Sequence, residues 1–131
     1  MLTRTNEYLI DTDVLEEHLI QNSSECNSYL ELLMQKGICF STVLNAAELL
    51  YKAVSNSEQK IIIDLLSALK ILGLHSRYSL LVPKYSLHVK KIDEALFCVV
   101  ADYNKLPIVT LKKSRYIKSG LLIYHPKEII S

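Results

Sequence analysis

Apolar residues follow two rhythms along this chain. Short unbroken runs occur at Tyr8-Leu9-Ile10, Ile38-Cys39-Phe40, Leu80-Leu81-Val82, Leu106–Thr110 and Leu121–Tyr124. Such runs mark buried strands. Between them, apolar positions recur every three or four residues, which is one face of a helix. Thr12 or Asp13 is placed to cap a helix carrying Val14, Leu15, Leu19 and Ile20, and Asn22, Ser23 and Ser24 break that pattern. A second helix holds Tyr29, Leu30, Leu32, Leu33 and Met34 and stops at Gly37, the residue type that ends helices most readily. Ser41 or Thr42 caps a third, with Leu44, Ala47, Leu50 and Tyr51 on one face. Asn56 or Ser57 opens a fourth, in which Ile61, Ile62, Leu65, Leu66, Leu69 and Leu72 keep helical spacing. A long helix is expected from about Ser86 to about Asn104, between a strand closed by Pro83 and one led by Pro107. Strands alternating with helices predict one α/β domain over residues 1–131, with a mostly parallel sheet of four to five strands covered by helices.

Composition narrows the function. Half of the 131 residues are hydrophobic and only 3 are Gly, which fits a folded core and leaves no glycine-rich phosphate loop. A net charge of +1 gives no global basic field, so nucleic-acid binding needs a local patch. Cys26, Cys39 and Cys98 form no CxxC pair and have no metal-like spacing to the histidines, which points to reduced thiols and a cytoplasmic location. The polar N-terminus is unlike a secretory signal, and no apolar run reaches the roughly 20 residues of a membrane span.

The candidate chemistry is acidic. Asp11 stands at the carboxyl end of the first strand, where open α/β sheets bind ligands. Glu48 lies in the apolar and small stretch Asn45–Tyr51, where a charge is costly unless paired or bound to a cation. On the last long helix, drawn at about 100° per residue, Asp93 falls inside the apolar arc and Glu94 in the polar remainder.

Three stretches together resemble the PIN-domain ribonucleases, in their VapC-like toxin branch. Leu9-Ile10-Asp11-Thr12-Asp13-Val14-Leu15 resembles the family's opening strand and turn, and Ser41–Tyr51 its Glu-Leu-Leu-Tyr helix. Glu94–Ala101 followed by Leu106-Pro107-Ile108-Val109-Thr110 resembles its acid-led helix and Val-Thr strand. The resemblance implies a three-layer PIN-like fold and a metal-dependent endoribonuclease, the toxin of a type II toxin–antitoxin pair. It implies Asp11 and Glu48 as ligands of Mg²⁺ or Mn²⁺, hard cations that take oxygen donors. For the third acid, alignment back from Thr110 points to Glu94 and the helical wheel to Asp93, so both remain. Thr12, Asp13 and Thr110 are expected to support the site. RNA, a cognate antitoxin and a second copy of the chain are the expected partners. After Thr110 the family commonly places another acid or amide, whereas this chain reads Leu111-Lys112-Lys113-Ser114-Arg115-Tyr116. That departure motivates an alternative, a degenerate PIN-like module that binds RNA or protein with little or no cleavage. Lys112, Lys113 and Arg115, with Lys118 and Lys52, are the residues expected to draw an RNA backbone to the acids.

Overall fold

The computed structural model describes residues 6–21 and 26–130. The expected break at Asn22, Ser23 and Ser24 lies outside them. Five strands form one sheet: β1 (Asn6–Ile10), β2 (Gly37–Thr42), β3 (Lys70–Leu72), β4 (Ile108–Val109) and β5 (Ile123–Tyr124). Their order is β3-β2-β1-β4-β5 and every pairing is parallel. The helices are α1 (Thr12–Gln21), α2 (Tyr29–Lys36), α3 (Val43–Lys52), α4 (Asn56–Ser67), α5 (Tyr78–Leu81), α6 (Ile92–Asn104) and α7 (Pro126–Ile130).

Strand alternation builds the three layers. Tyr8 and Ile10 of β1 pack to one side with Val14, Leu15, Leu30, Leu33, Leu49 and Leu65 of the first four helices. Leu9, between them, points the other way and meets Ala95, Val99 and Val100 of α6. Ile108 and Val109 divide between the two cores in the same manner. Both faces of the sheet are therefore buried, as an all-parallel sheet requires. Cys39 and Cys98 are packing residues, and burial pushes both thiols up to about 12, far from any reactive range.

The structure corrects four sequence expectations. Leu80-Leu81-Val82 is not a strand: it ends α5 and enters a 3₁₀ turn, Val82–Lys84, in which Pro83 sits where its missing N–H costs nothing. The third strand is Lys70-Ile71-Leu72, which spacing had assigned to the preceding helix; α4 stops at Ser67, and these three residues pair with Phe40–Thr42. The last long helix starts at Ile92 rather than Ser86, because the Glu94 carboxylate turns back to accept the Lys90 and Lys91 N–H groups and fixes the start there. The packed face of α3 is Asn45, Ala46 and Leu49, whereas Ala47 and Tyr51 are exposed.

Gly37 shows how tightly β1 and β2 pair. A Cβ there would stand 2.3 Å from the Asn6 carbonyl oxygen, which is backbone and has no rotamer to yield. Gly37→Ala is expected to cost about 1–3 kcal/mol of stability in urea unfolding, the usual range for overpacking. Gly73→Ala, which meets no atom within 4 Å, is the matched control and should be neutral or slightly stabilising.

Candidate active site

The sheet order places a crevice before any side chain is considered. The chain runs from β1 outward through β2 to β3, then returns to lay β4 and β5 on the other side of β1. The carboxyl ends of β1 and β4 flank the point where the direction reverses, which is where such sheets bind ligands. Asp11 follows β1 and Thr110 follows β4, and the Asp11 N–H donates to the Val109 carbonyl at 3.0 Å. A cavity of about 520 Å³ opens there, lined by Asp11, Asp13, Glu48, Asp93, Glu94 and Arg115, among others.

Asp11 is the centre of the network and is 4% exposed. Its carbonyl accepts the Val14 and Leu15 N–H groups, so it stands at the start of α1, at the positive end of the helix. Its Oδ1 accepts the Thr12 N–H at 2.8 Å. Its Oδ2 accepts from Arg115 Nη1 at 2.9 Å and from the Tyr116 hydroxyl at 3.0 Å. The Thr110 hydroxyl lies 3.0 Å from Asp11 Oδ2 and 3.0 Å from Asp13 Oδ2, so two carboxylates compete for one proton. Asp13 Oδ2 also accepts the Leu111 N–H at 3.1 Å, while its Oδ1 is buried without a hydrogen-bond partner among the described residues. Burial, and then the neighbouring charge of Asp13, push the Asp11 carboxyl up to about 6, against the pull of the Thr12 N–H, Arg115 and Tyr116. Burial raises the Tyr116 phenol, and the Asp11 charge adds to it, so Tyr116 remains a proton donor.

Glu94 rather than Asp93 joins this network. Its Oε2 lies 3.6 Å from Arg115 Nε, while its Oε1 caps α6. Asp93 is exposed at the rim, against the helical-wheel expectation. The buried face of α6 is Ala95 and Phe97–Ala101, and the wheel was pulled off phase by Ile92 and Tyr103, which are both exposed. Glu48 is half-buried, lines the same cavity from α3 and takes no part in the ion pairs around Arg115.

The basic residues behave less uniformly than a charge run suggests. Lys112 is exposed, Lys113 Nζ pairs with Glu128 at 2.9 Å, and Arg115 turns inward to the acids instead of outward to solvent. Lys52, 3.7 Å from Glu16, and Lys91 line the cavity mouth. Two residues of the site carried no sequence signal of their own. Tyr116 is buried and packs on Phe97, ring centroids 5.5 Å apart. Asn45, also buried, donates from Nδ2 to Thr12 Oγ1 at 2.8 Å and ties the start of α3 to the start of α1.

As arranged, these side chains do not fit a divalent cation. Among the described residues, no group of three or more His, Cys, Asp or Glu is disposed to hold one metal ion. A guanidinium stands between the carboxylates that come nearest to doing so.

No protein-family model and no curated protein matches the sequence. Solved structures do resemble it. VapBC2 from Rickettsia felis, bound to a DNA fragment from its promoter, matches with a TM-score of 0.73 at 17% identity, over 91% of this chain and 98% of that one. FitAcB from Neisseria gonorrhoeae matches at 0.70 and 14% identity, over 92% and 98%. A toxin–antitoxin complex from Klebsiella pneumoniae matches at 0.69 and 15% identity, over 91% and 97%. Among the described residues no helix is long and apolar enough to cross a membrane. With its five parallel strands, its three layers and these neighbours over most of its length, the chain has the PIN-domain fold.

Proposed function

We propose that this protein is the toxin of a toxin–antitoxin pair and that its substrate is RNA, cut at the crevice beside Asp11. The observation that carries the reading is the convergence of Asp11, Asp13, Glu48 and Glu94 on one cavity at the switch point of a PIN-fold sheet. Acids at that place are costly to a fold and are explained by a ligand. Lys52 and Lys91 at the cavity mouth suit a phosphate backbone, which they would position without reading sequence. A cognate antitoxin that masks the crevice and a second copy of the chain are its proposed partners, in a cytoplasmic setting. The Mg²⁺ or Mn²⁺ that goes with this chemistry has no place among the carboxylates while Arg115 stands there, so metal dependence belongs to a state with the arginine withdrawn.

One observation favours a second reading, a PIN-like module that binds RNA or protein without cutting. Arg115 neutralises the acids from within the chain, and Lys112 follows Thr110 where the resemblance expects an acid or amide. Incubation with structured RNAs and Mn²⁺ separates the two. The ribonuclease reading expects cleavage that Asp11→Ala reduces by about 100-fold or more, as for a group acting in the transition state. Equal cutting by the wild type and Asp11→Ala would sink it, and no cutting by the wild type, by Asp11→Ala or by Arg115→Met, in which the guanidinium is gone, would leave the binding module.

A further inference from the structure

The segment after β4 carries four consecutive polar residues, Lys112-Lys113-Ser114-Arg115, and folds into a 3₁₀ turn over Lys113–Arg115. That turn sends the arginine back across the sheet edge. Its Nη1 lies 2.9 Å from Asp11 Oδ2 and 3.6 Å from Asp13 Oδ2, and its Nε lies 3.6 Å from Glu94 Oε2. One guanidinium thus faces three carboxylates, two from the turn between β1 and the start of α1 and one from α6. Their side chains are only 6%, 20% and 11% exposed. A set of buried acids aimed at one point is stable only around a positive charge.

We propose that Arg115 holds the position of the cation in this crevice, keeping divalent ions out of the free protein, and that removing its charge turns Asp11, Asp13 and Glu94 into a Mg²⁺ or Mn²⁺ site. The geometry leaves no room for both. A small divalent ion binds carboxylate oxygen at about 2.1 Å. The same Asp11 oxygen already holds Nη1 at 2.9 Å, so the ion and the guanidinium would be forced together in a poorly solvated space. The compensation is also incomplete, which is why a stronger cation has something to gain. Among the described residues Asp13 Oδ1 is buried with no hydrogen-bond partner. The choice of ion rests on the ribonuclease reading above, whereas the exclusion itself rests on the ion pairs.

The test is titration of Mn²⁺ alone, without RNA, into the full chain, followed by calorimetry. Wild type and Arg115→Lys, which keeps the charge, are expected to bind Mn²⁺ weakly or not at all. Arg115→Met, which keeps an apolar stem in place of the charge, is expected to bind at least about tenfold tighter. Adding Asp11→Asn to Arg115→Met should remove that gain. Equal affinity in the wild type and Arg115→Met would overturn the proposal. So would failure of both Arg115 variants to fold, by circular dichroism, with or without Mn²⁺, because Arg115 would then be a structural strut. An Arg115→Met protein that folds only when Mn²⁺ is present supports it. The two readings fail separately. A variant that binds Mn²⁺ and cuts no RNA overturns the ribonuclease and leaves Arg115 as the excluding residue. A wild type that cuts RNA and binds Mn²⁺ as tightly as Arg115→Met does the reverse.

Discussion

Asp11→Asn is expected to melt higher than the wild type near pH 7.5 and to lose that advantage as the pH falls to about 4. The reason is the cost of keeping Asp11 ionised. The side chain is nearly inaccessible, and burial, with Asp13 adding to it, raises its carboxyl to about 6. In the unfolded chain the same group titrates near about 3.9. Between those two values the folded protein holds a proton that the unfolded chain has released. Stability therefore falls as pH rises through the window: it is fully present below the unfolded value and lost once the pH passes about 6. Two pH units correspond to roughly 3 kcal/mol. Asn removes that cost and keeps the acceptor for the Thr12 N–H, but it gives up the charge opposite Arg115. It also sets an NH₂ where Oδ2 accepted, so the Tyr116 hydroxyl must turn to accept and the Thr110 hydroxyl must donate to Asp13 alone. A net gain of about 1–2 kcal/mol at neutral pH remains, a few degrees in Tm for a chain of this size. The comparison is made on paired melts at each pH, so that other carboxylates cancel. A variant that is less stable than the wild type by the same amount at every pH would show that Arg115 fully compensates the charge. If the RNA reading also holds, the more stable protein is the inactive one, which is the common bargain at a catalytic acid.

How far the sequence reveals this site depends on how local each contact is. Asp11 was legible because three facts about it lie within a few residues: a strand before it, a helix start after it, and a carboxylate between. Glu48 and Glu94 were legible as acids in the right order. Choosing Glu94 over Asp93 needed the true start of α6, which the Glu94 carboxylate itself sets by capping Lys90 and Lys91. The wheel counted Ile92 and Tyr103 as buried, which widened its apolar arc past Asp93, although both are exposed. The basic segment misled in the opposite sense. A run of lysines and an arginine after a strand reads as a phosphate-binding loop, but the 3₁₀ turn rotates Arg115 inward while Lys113 pairs with Glu128 of α7. The short edge strand β3 escaped detection because Lys70-Ile71-Leu72 continues the leucine spacing of α4, and only pairing with β2 decides it. In the fold, then, the order of elements and the parallel sheet follow from periodicity. The site's polar partners do not, since Thr110 and Tyr116 reach Asp11 across about 100 residues of intervening chain, a distance no local pattern spans.

Asn45→Ala is expected to be among the most destabilising single changes near the site, at about 2–4 kcal/mol, because it strands several buried groups at once. Asn45 is 5% exposed. Its Oδ1 accepts from Thr42 Oγ1 at 2.6 Å and from the Thr42 N–H at 3.1 Å, and its Nδ2 donates to Thr12 Oγ1 at 2.8 Å. Thr12 and Thr42 are themselves buried, so no water replaces the lost partner without opening the crevice. The Thr42 N–H, left at the start of α3, pays the full cost of desolvation. The damage passes to the candidate chemistry through one residue. Thr12 supplies the N–H that holds Asp11 Oδ1, and loosening Thr12 frees that carboxylate to rotate. Asn45→Asp separates the two effects. It keeps the acceptor for Thr42, and at acid pH its protonated carboxyl can donate to Thr12 Oγ1 as the amide did, so it should recover most of the stability there. Near neutral pH it adds a charge to a crevice already crowded with carboxylates, and the protein should weaken as the pH rises. Thermal melts of both variants across that range provide the check. An Asn45→Ala protein that melts within about a degree of the wild type would mean that this network does not hold α1 against α3.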